Sequence, residues 1–498
     1  MARNVKRHVL SYFFSFEFVA GVCGFLALLI ITKYVFDIVY AHQPEVYIDE
    51  IFHVRQAEKI AHGDFRTWDP KITTLPGLYY LTTFAISGLG FFFAGIRCDL
   101  YTLRFANVVG TLMNFLLFYL IHLKIHEKKQ DGMSLKVFLS ALNLSIFPVL
   151  YFFSFLYYTD VISTTFFLLM FLLHLCNLSN LAAIVGGASI LMRQTNVIWV
   201  LYFFMHTIYD CIIQEAVFQK KIKSVQHFEK LPMKEGFVSI IKVVLSTLRD
   251  SLLVRNKKNS FFNRRLVKSM LLKSPTYFLV MLSFVLFVYL NGSIVVGDKT
   301  AHKASFHLLQ LCYFVAFTLF FAWPFFFRTG VKLVRNIPRT LSVLLRHKTL
   351  ILFSSCSLAL CICYNFQAHP YLLADNRHYS FYVWRRLFGH AFIKYLLIPI
   401  YLFGFIAVSK SIFSFAKIDL VSFWISAALC LVPQQLLEFR YFLIPYFIFR
   451  IKMKNLTVNQ LVFEFITYIA INIFTIFLFV KKPFYWAHEP AIVQRFMW

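Results

Sequence analysis

The chain has 498 residues, of which 59% are hydrophobic and 19% aromatic. Soluble domains are roughly 45–50% apolar, so this composition excludes a soluble protein and points to one embedded in a membrane. The net charge of +27 would suit nucleic acid if it formed one patch. The basic residues instead cluster in loops between apolar runs, which is the positive-inside pattern and argues against a nucleic-acid partner.

The N-terminal MARNVKRH is basic and precedes an apolar run from about Phe16 to Tyr40. That run is too long for a signal peptide and lacks a small-residue cleavage pattern, so it reads as an uncleaved first span with its basic end in the cytosol. The next stretch, Tyr47–Tyr80, is then lumenal. It opens with two adjacent carboxylates, Asp49 and Glu50. Ile51–Ala61 follows with the pattern of a short surface helix carrying Val54, Ala57 and Ala61 on one face. The dipole at its N-terminus favours ionised carboxylates, which suits a base; the alternative role is a plain helix cap.

Two apolar runs come next, Leu75–Gly95 and Leu103–Leu123, and then the basic Lys124–Lys129. Counting both runs as spans would place that basic loop in the lumen. The first run also carries Pro76, Gly77, Gly88, Gly90 and Gly95, poor choices for a straight span. Residues 75–95 are therefore expected to re-enter the membrane or lie along it, within a lumenal loop covering 41–102.

Beyond this point spans alternate. They run near Lys136–Tyr157, Val161–Leu178 and Tyr277–Val296, then His307–Phe327, Ala391–Ser409, Asp419–Val432 and Leu461–Val480. The segment Lys220–Lys273 holds fourteen Lys/Arg against three Asp/Glu and falls in a basic cytosolic loop at 215–275, suited to anionic lipid headgroups. Arg328–Lys348 forms a second basic loop, and Arg450, Lys452 and Lys454 a third. The expected architecture is an all-α polytopic membrane protein, one domain over 1–498 with about 12–14 transmembrane helices. The nine cysteines lie mostly in apolar runs and lack zinc or redox spacing. No repeat, Walker loop or GxGxxG is present.

Sorted by side, the unusual polar groups gather at lumenal ends: Asp49, Glu50, Asp160, Arg193, Asp298 and His302, then Asp375, Arg377, His378, Glu438 and Arg440. Ionisable groups at membrane depth are costly and default to a functional reading, although each alone also fits an ion pair or a wet loop. The adjacent Arg377 and His378 can hold a phosphate through charge-assisted hydrogen bonds, as can Arg440, Lys299 and His302. Trp68, Tyr79, Tyr80, Tyr382 and Trp384 can stack on sugars, a role that interfacial aromatics do not need. Nothing has the spacing of a metal site.

The strings YIDEIFHVRQA, WDPKITTLPGLYYL, YYTD, MRQTN, VVGDKTAH, LADNRHYSFYVWRR, EFRYFLIPY and QRFMW together resemble one family. It is the dolichyl-phosphoglucose-dependent α-1,2-glucosyltransferases that add the third glucose to the lipid-linked oligosaccharide of N-glycosylation. The resemblance runs from Tyr47 to Trp498, and the Lys220–Lys273 loop carries none of these strings. It implies a C-type glycosyltransferase (GT-C) fold in the endoplasmic reticulum membrane with a lumenal site. The implied donor is dolichyl phosphate β-glucose, and the implied acceptor is dolichyl-diphosphate-linked Glc2Man9GlcNAc2. Inversion at the sugar then needs a base, Asp49 with Glu50 as runner-up. It also needs cations at the leaving phosphate: Arg377, His378, Arg440, His302 and Lys299. Substrate contacts are expected from His53, Trp68, Asp69, Tyr158, Asp160, Arg193, Asp298, Asp375 and Glu438. No cofactor or metal is expected, and membrane lipids are the remaining partners. A lipid-carrier flippase and a non-catalytic membrane adaptor are the rival readings; the one-sided charges and the lack of repeats oppose the first.

Overall fold

A backbone in lipid must satisfy its own hydrogen bonds, and uninterrupted apolar sequence does so as helix. The computed structural model describes residues 16–93, 95–126, 133–222, 233–252, 264–299, 305–366, 368–413 and 417–498. Among these, five helices are long and apolar enough to cross a membrane. Three further apolar helix pairs are bent at a short break, and five shorter apolar helices have 10–17 residues. The protein is an all-α polytopic membrane protein; reaching the expected 12–14 crossings requires counting those shorter helices.

The first helix, α1 (Phe16–His42), is apolar all round, and Ile30, Ile31 and Tyr34 on its outer face are exposed. The next, α2 (Glu50–Ala61), is amphipathic instead: Val54, Ala57 and Ile60 are buried while Arg55 and Lys59 are exposed. The run expected to re-enter forms one unbroken 16-residue helix, α3 (Gly77–Phe92). At 1.5 Å per residue it is about 24 Å long, less than the ~30 Å hydrocarbon core. Its start lies against the end of another helix, where a Cβ on Gly77 would come within 2.7 Å of the Leu191 backbone. Only glycine allows that approach.

The fourth helix, α4 (Leu100–His126), delivers Arg104, whose side chain is fully buried, to the start of α2. Its guanidinium donates to both carboxylate oxygens of Glu50, at 2.9 and 2.6 Å, and to the carbonyls of Gln43 and Glu45 at 2.6 and 2.8 Å. The start of the first loop is thereby clamped to the helical core.

Two basic residues expected in a cytosolic loop are not loop cations. Arg450 is fully buried and pairs with Glu464 at 2.7 Å. Glu464 also accepts from Asn143 at 2.8 Å and from Tyr468. Lys452 pairs with Asp419. Burial without such partners would cost several kcal/mol per ion, so the partners set these residues' positions. All nine cysteines are free thiols.

The C-terminal segment departs from the all-helical pattern. After the helix Val458–Lys481, strands β1 (Phe484–Trp486) and β2 (Glu489–Gln494) form an antiparallel hairpin. Residues beyond it run alongside His378, where Met497 makes a parallel bridge.

Replacing Glu50 with alanine would leave the Arg104 guanidinium buried without its counter-ion, a loss of about 3–5 kcal/mol. Glu50→Ala is expected to lower the thermal unfolding temperature in detergent and the yield of monodisperse protein. An unchanged unfolding temperature would show that the clamp carries no stability.

Candidate active site

The two adjacent acids have opposite fates. Ile48, just before them, sits at φ 52°, a left-handed conformation rare for a β-branched residue. Such strain costs about 1–3 kcal/mol and persists only where surrounding contacts impose it. Here the Glu50 clamp does so: its carboxylate also accepts the backbone N–H groups of Tyr47 at 3.0 Å and Tyr157 at 2.5 Å. Glu50 is fully buried with every oxygen engaged, outside the cavity described next. Asp49 stands at the N-cap position of α2, but its side chain caps nothing. Its carboxylate makes no hydrogen bond or ion pair among the described residues and lines a cavity of about 490 Å³.

That cavity gathers much of the predicted set. His53 follows Asp49 by one helical turn on its wall. Arg193, Asp298 and the stretch holding Asp375, Arg377 and His378 face it from three other segments, and Glu438 and Arg440 line it beside Arg193. Tyr158 and Asp160 form a supporting layer. Asp160 accepts from both Arg193 and Arg440, and Arg440 also pairs with Glu438. The Arg440 guanidinium lies 5.3 Å from the Tyr158 ring centre, and the Tyr158 hydroxyl accepts the Asp49 N–H at 3.3 Å. Burial opposes the Arg440 charge, but Glu438, Asp160 and Asp49 together hold its pKa well above the usual arginine value.

On the facing wall, Arg377 donates from Nε and Nη2 to Asp375 at 2.8 and 2.7 Å, and from Nη1 to Gln494 at 3.0 Å. One N–H on each terminal nitrogen is left for a ligand. Burial raises the Asp375 pKa, but the Arg377 hydrogen bonds and charge outweigh it and hold that carboxyl below its ordinary range. His378 Nδ1 meets the Trp498 main-chain oxygen at 2.9 Å; that oxygen accepts, so this nitrogen carries the hydrogen.

Other predicted residues lie elsewhere. Trp68 donates to the Ile72 carbonyl at 3.2 Å, and Asp69 closes a turn by accepting the Lys71 N–H at 2.9 Å. Both shape the wall without lining it. Lys299 is exposed and donates to the Asn291 carbonyl at 2.5 Å, and His302 lies outside the described residues. None of Trp68, Tyr79, Tyr80, Tyr382 and Trp384 lines the cavity; the aromatic rings that do are Phe52, Tyr371 and Tyr441. Sequence reasoning passed over three contributors. Lys71 lines the cavity, its ammonium 5.1 Å from the Phe52 ring centre and without a carboxylate partner among the described residues. Arg104 was signalled by its place inside an apolar run. Gln494 had no local signal.

A sequence model of the DIE2/ALG10 family matches residues 43–451, which include Asp49, the Glu50 clamp and the Arg440 wall. The chain belongs to the DIE2/ALG10 family. A rat relative is 37% identical over 465 residues, covering 91% of this chain and 93% of its own length. A human relative is 36% identical, covering 91% and 93%, and one from Arabidopsis thaliana is 32% identical, covering 91% and 95%. All three are named Dol-P-Glc:Glc(2)Man(9)GlcNAc(2)-PP-Dol alpha-1,2-glucosyltransferase. Membership of the DIE2/ALG10 family brings the C-type glycosyltransferase fold with it and makes the chain an enzyme.

His53 offers a pH test of the wall. Its Nδ1 lies 2.6 Å from the Tyr79 hydroxyl, and Asp49, Arg440, Asp160 and Arg193 are the charges around it. Burial lowers its pKa from 6.5 to about 4. Between those values the unfolded chain binds a proton that the folded chain does not, so stability falls as pH drops from 6.5 towards 4. His53→Gln is expected to flatten that part of the unfolding-temperature profile. An equally steep decline in the variant would place the titrating group elsewhere.

Proposed function

We propose that the protein transfers glucose from dolichyl phosphate β-glucose to Glc2Man9GlcNAc2-diphosphodolichol, forming the terminal α-1,2 bond. One observation carries the reading: a carboxylate, Asp49, unengaged among the described residues, in a polar cavity whose other walls present Arg377, His378 and Arg440. The relatives' shared name supports the substrates.

In this mechanism Asp49 accepts the proton of the acceptor's 2-hydroxyl as that oxygen attacks the anomeric carbon. The new C–O bond forms as the bond to the phosphate oxygen breaks, and the electron pair leaves with dolichyl phosphate. A single displacement turns the β donor into an α product. Arg377, with its two spare N–H groups, and His378 stabilise the charge gathering on the departing phosphate, and Arg440 assists. The phosphate monoester is a good leaving group, so the reading invokes no metal. Glu50 cannot serve as the base without breaking its bonds to Arg104; it positions its neighbour. We place the site on the lumenal face of the endoplasmic reticulum membrane, the side that charge parity gives to the Tyr47–Tyr80 stretch. The apolar helices around the cavity then keep both dolichyl chains in lipid.

Cells lacking the protein are expected to accumulate lipid-linked Glc2Man9GlcNAc2 at the expense of the triglucosylated species, and an unchanged profile would overturn the proposal. NMR of the product made in vitro from β donor should show only the α anomer. A β product would refute the single displacement.

A further inference from the structure

The QRFMW string lies beyond residue 451, where the family match ends, and the mechanism above gives it no task. In the fold this segment touches both halves of the cavity. On one side it holds the first loop. Arg495 donates to the His42 carbonyl at 2.6 Å, to the Gln43 side chain at 2.9 Å and to the Phe479 carbonyl at 2.7 Å. The Tyr47 hydroxyl, two residues before Asp49, donates to the Arg495 carbonyl at 2.5 Å and accepts the Arg495 N–H at 2.7 Å.

On the other side the segment holds the phosphate wall. Met497 donates its N–H to the Arg377 carbonyl at 2.9 Å, and its carbonyl accepts the Tyr379 N–H at 3.0 Å. Gln494 takes one Arg377 Nη1 hydrogen, and the Trp498 main-chain oxygen fixes the His378 ring. The Trp486 ring, from the preceding strand, lies under the Arg377 guanidinium with its centre 4.7 Å away. The Trp498 ring packs on Tyr379 and Phe439, with centres 5.1 and 5.8 Å apart. A segment serving only to bury apolar surface would not direct a side-chain amide at a guanidinium already paired with Asp375.

We infer that residues 494–498 are a strap that sets the distance and orientation of Arg377 and His378 relative to Asp49, with Gln494 and Arg495 as positioning residues for the donor phosphate. This rests on the reading that Arg377 and His378 hold that phosphate. The strap acts through the aim of Arg377, so its loss weakens donor capture specifically.

The test uses the full-length protein in detergent with dolichyl phosphate glucose and the diglucosylated acceptor. Losing one hydrogen bond to a charged group is expected to raise the donor KM roughly tenfold in Gln494→Ala, leaving the acceptor KM within about twofold. Arg495→Lys, which cannot make the same set of bonds, should move the donor KM in the same direction. In an Arg377→Ala background, itself raised in donor KM, Gln494→Ala should add nothing. A structural role alone would lower the active fraction and leave both KM values in place, and that result overturns the strap. If Arg377→Ala raises the donor KM but Gln494→Ala does not, the strap fails and the donor-site reading stands. If Arg377→Ala leaves the donor KM unchanged, both fall.

Discussion

The buried bond between Glu50 and Arg104 governs the arrangement of the site. Both groups are out of solvent, and a charge buried so deeply is tolerable only when its lone pairs and hydrogens are nearly all used. Four donations fill the Glu50 carboxylate. With Glu50 fixed and Ile48 held at positive φ, the side chain between them has one direction left, into the cavity. Two acids that look equivalent in the chain thus acquire different chemistry from one partner on another helix.

The cavity wall repeats this logic with charge balance. Arg193 and Arg440 share Asp160, Arg440 also has Glu438, and Arg377 has Asp375. Each arginine is held in place by its carboxylate and keeps donors free, so under the proposed mechanism little reorganisation is needed when phosphate charge develops. Asp49 is outside these pairs, which leaves it open for the proposed role of base, and among the described residues Lys71 is the wall cation without a carboxylate partner.

What could be read from the chain follows from sequence distance. Arg377 and Asp375 are two residues apart, so their shared place was visible in LADNRHY. The amphipathic pattern of Ile51–Ala61 gave α2 nearly to the residue, because one face had to be buried, although that face carries Val54, Ala57 and Ile60 while Ala61 is exposed. The choice between Asp49 and Glu50 depended on Arg104, 54 residues away, and stayed open. The link between Tyr47 and Arg495 spans 448 residues, and no local pattern encodes such a pairing. Arg450 and Lys452 read as loop cations in the sequence because their partners, Glu464 and Asp419, lie on other helices. The hairpin at Phe484–Gln494 was hidden because its strands are short and sit after a long apolar helix.

The most direct test of the account is the turnover of purified Asp49→Asn, normalised to folded protein by its unfolding temperature. The substitution keeps shape and removes the proton acceptor without touching the Glu50–Arg104 clamp. The account predicts parental stability and a loss of turnover of about 10²–10⁴-fold. A stable Asp49→Asn enzyme that turns over at the parental rate would contradict it.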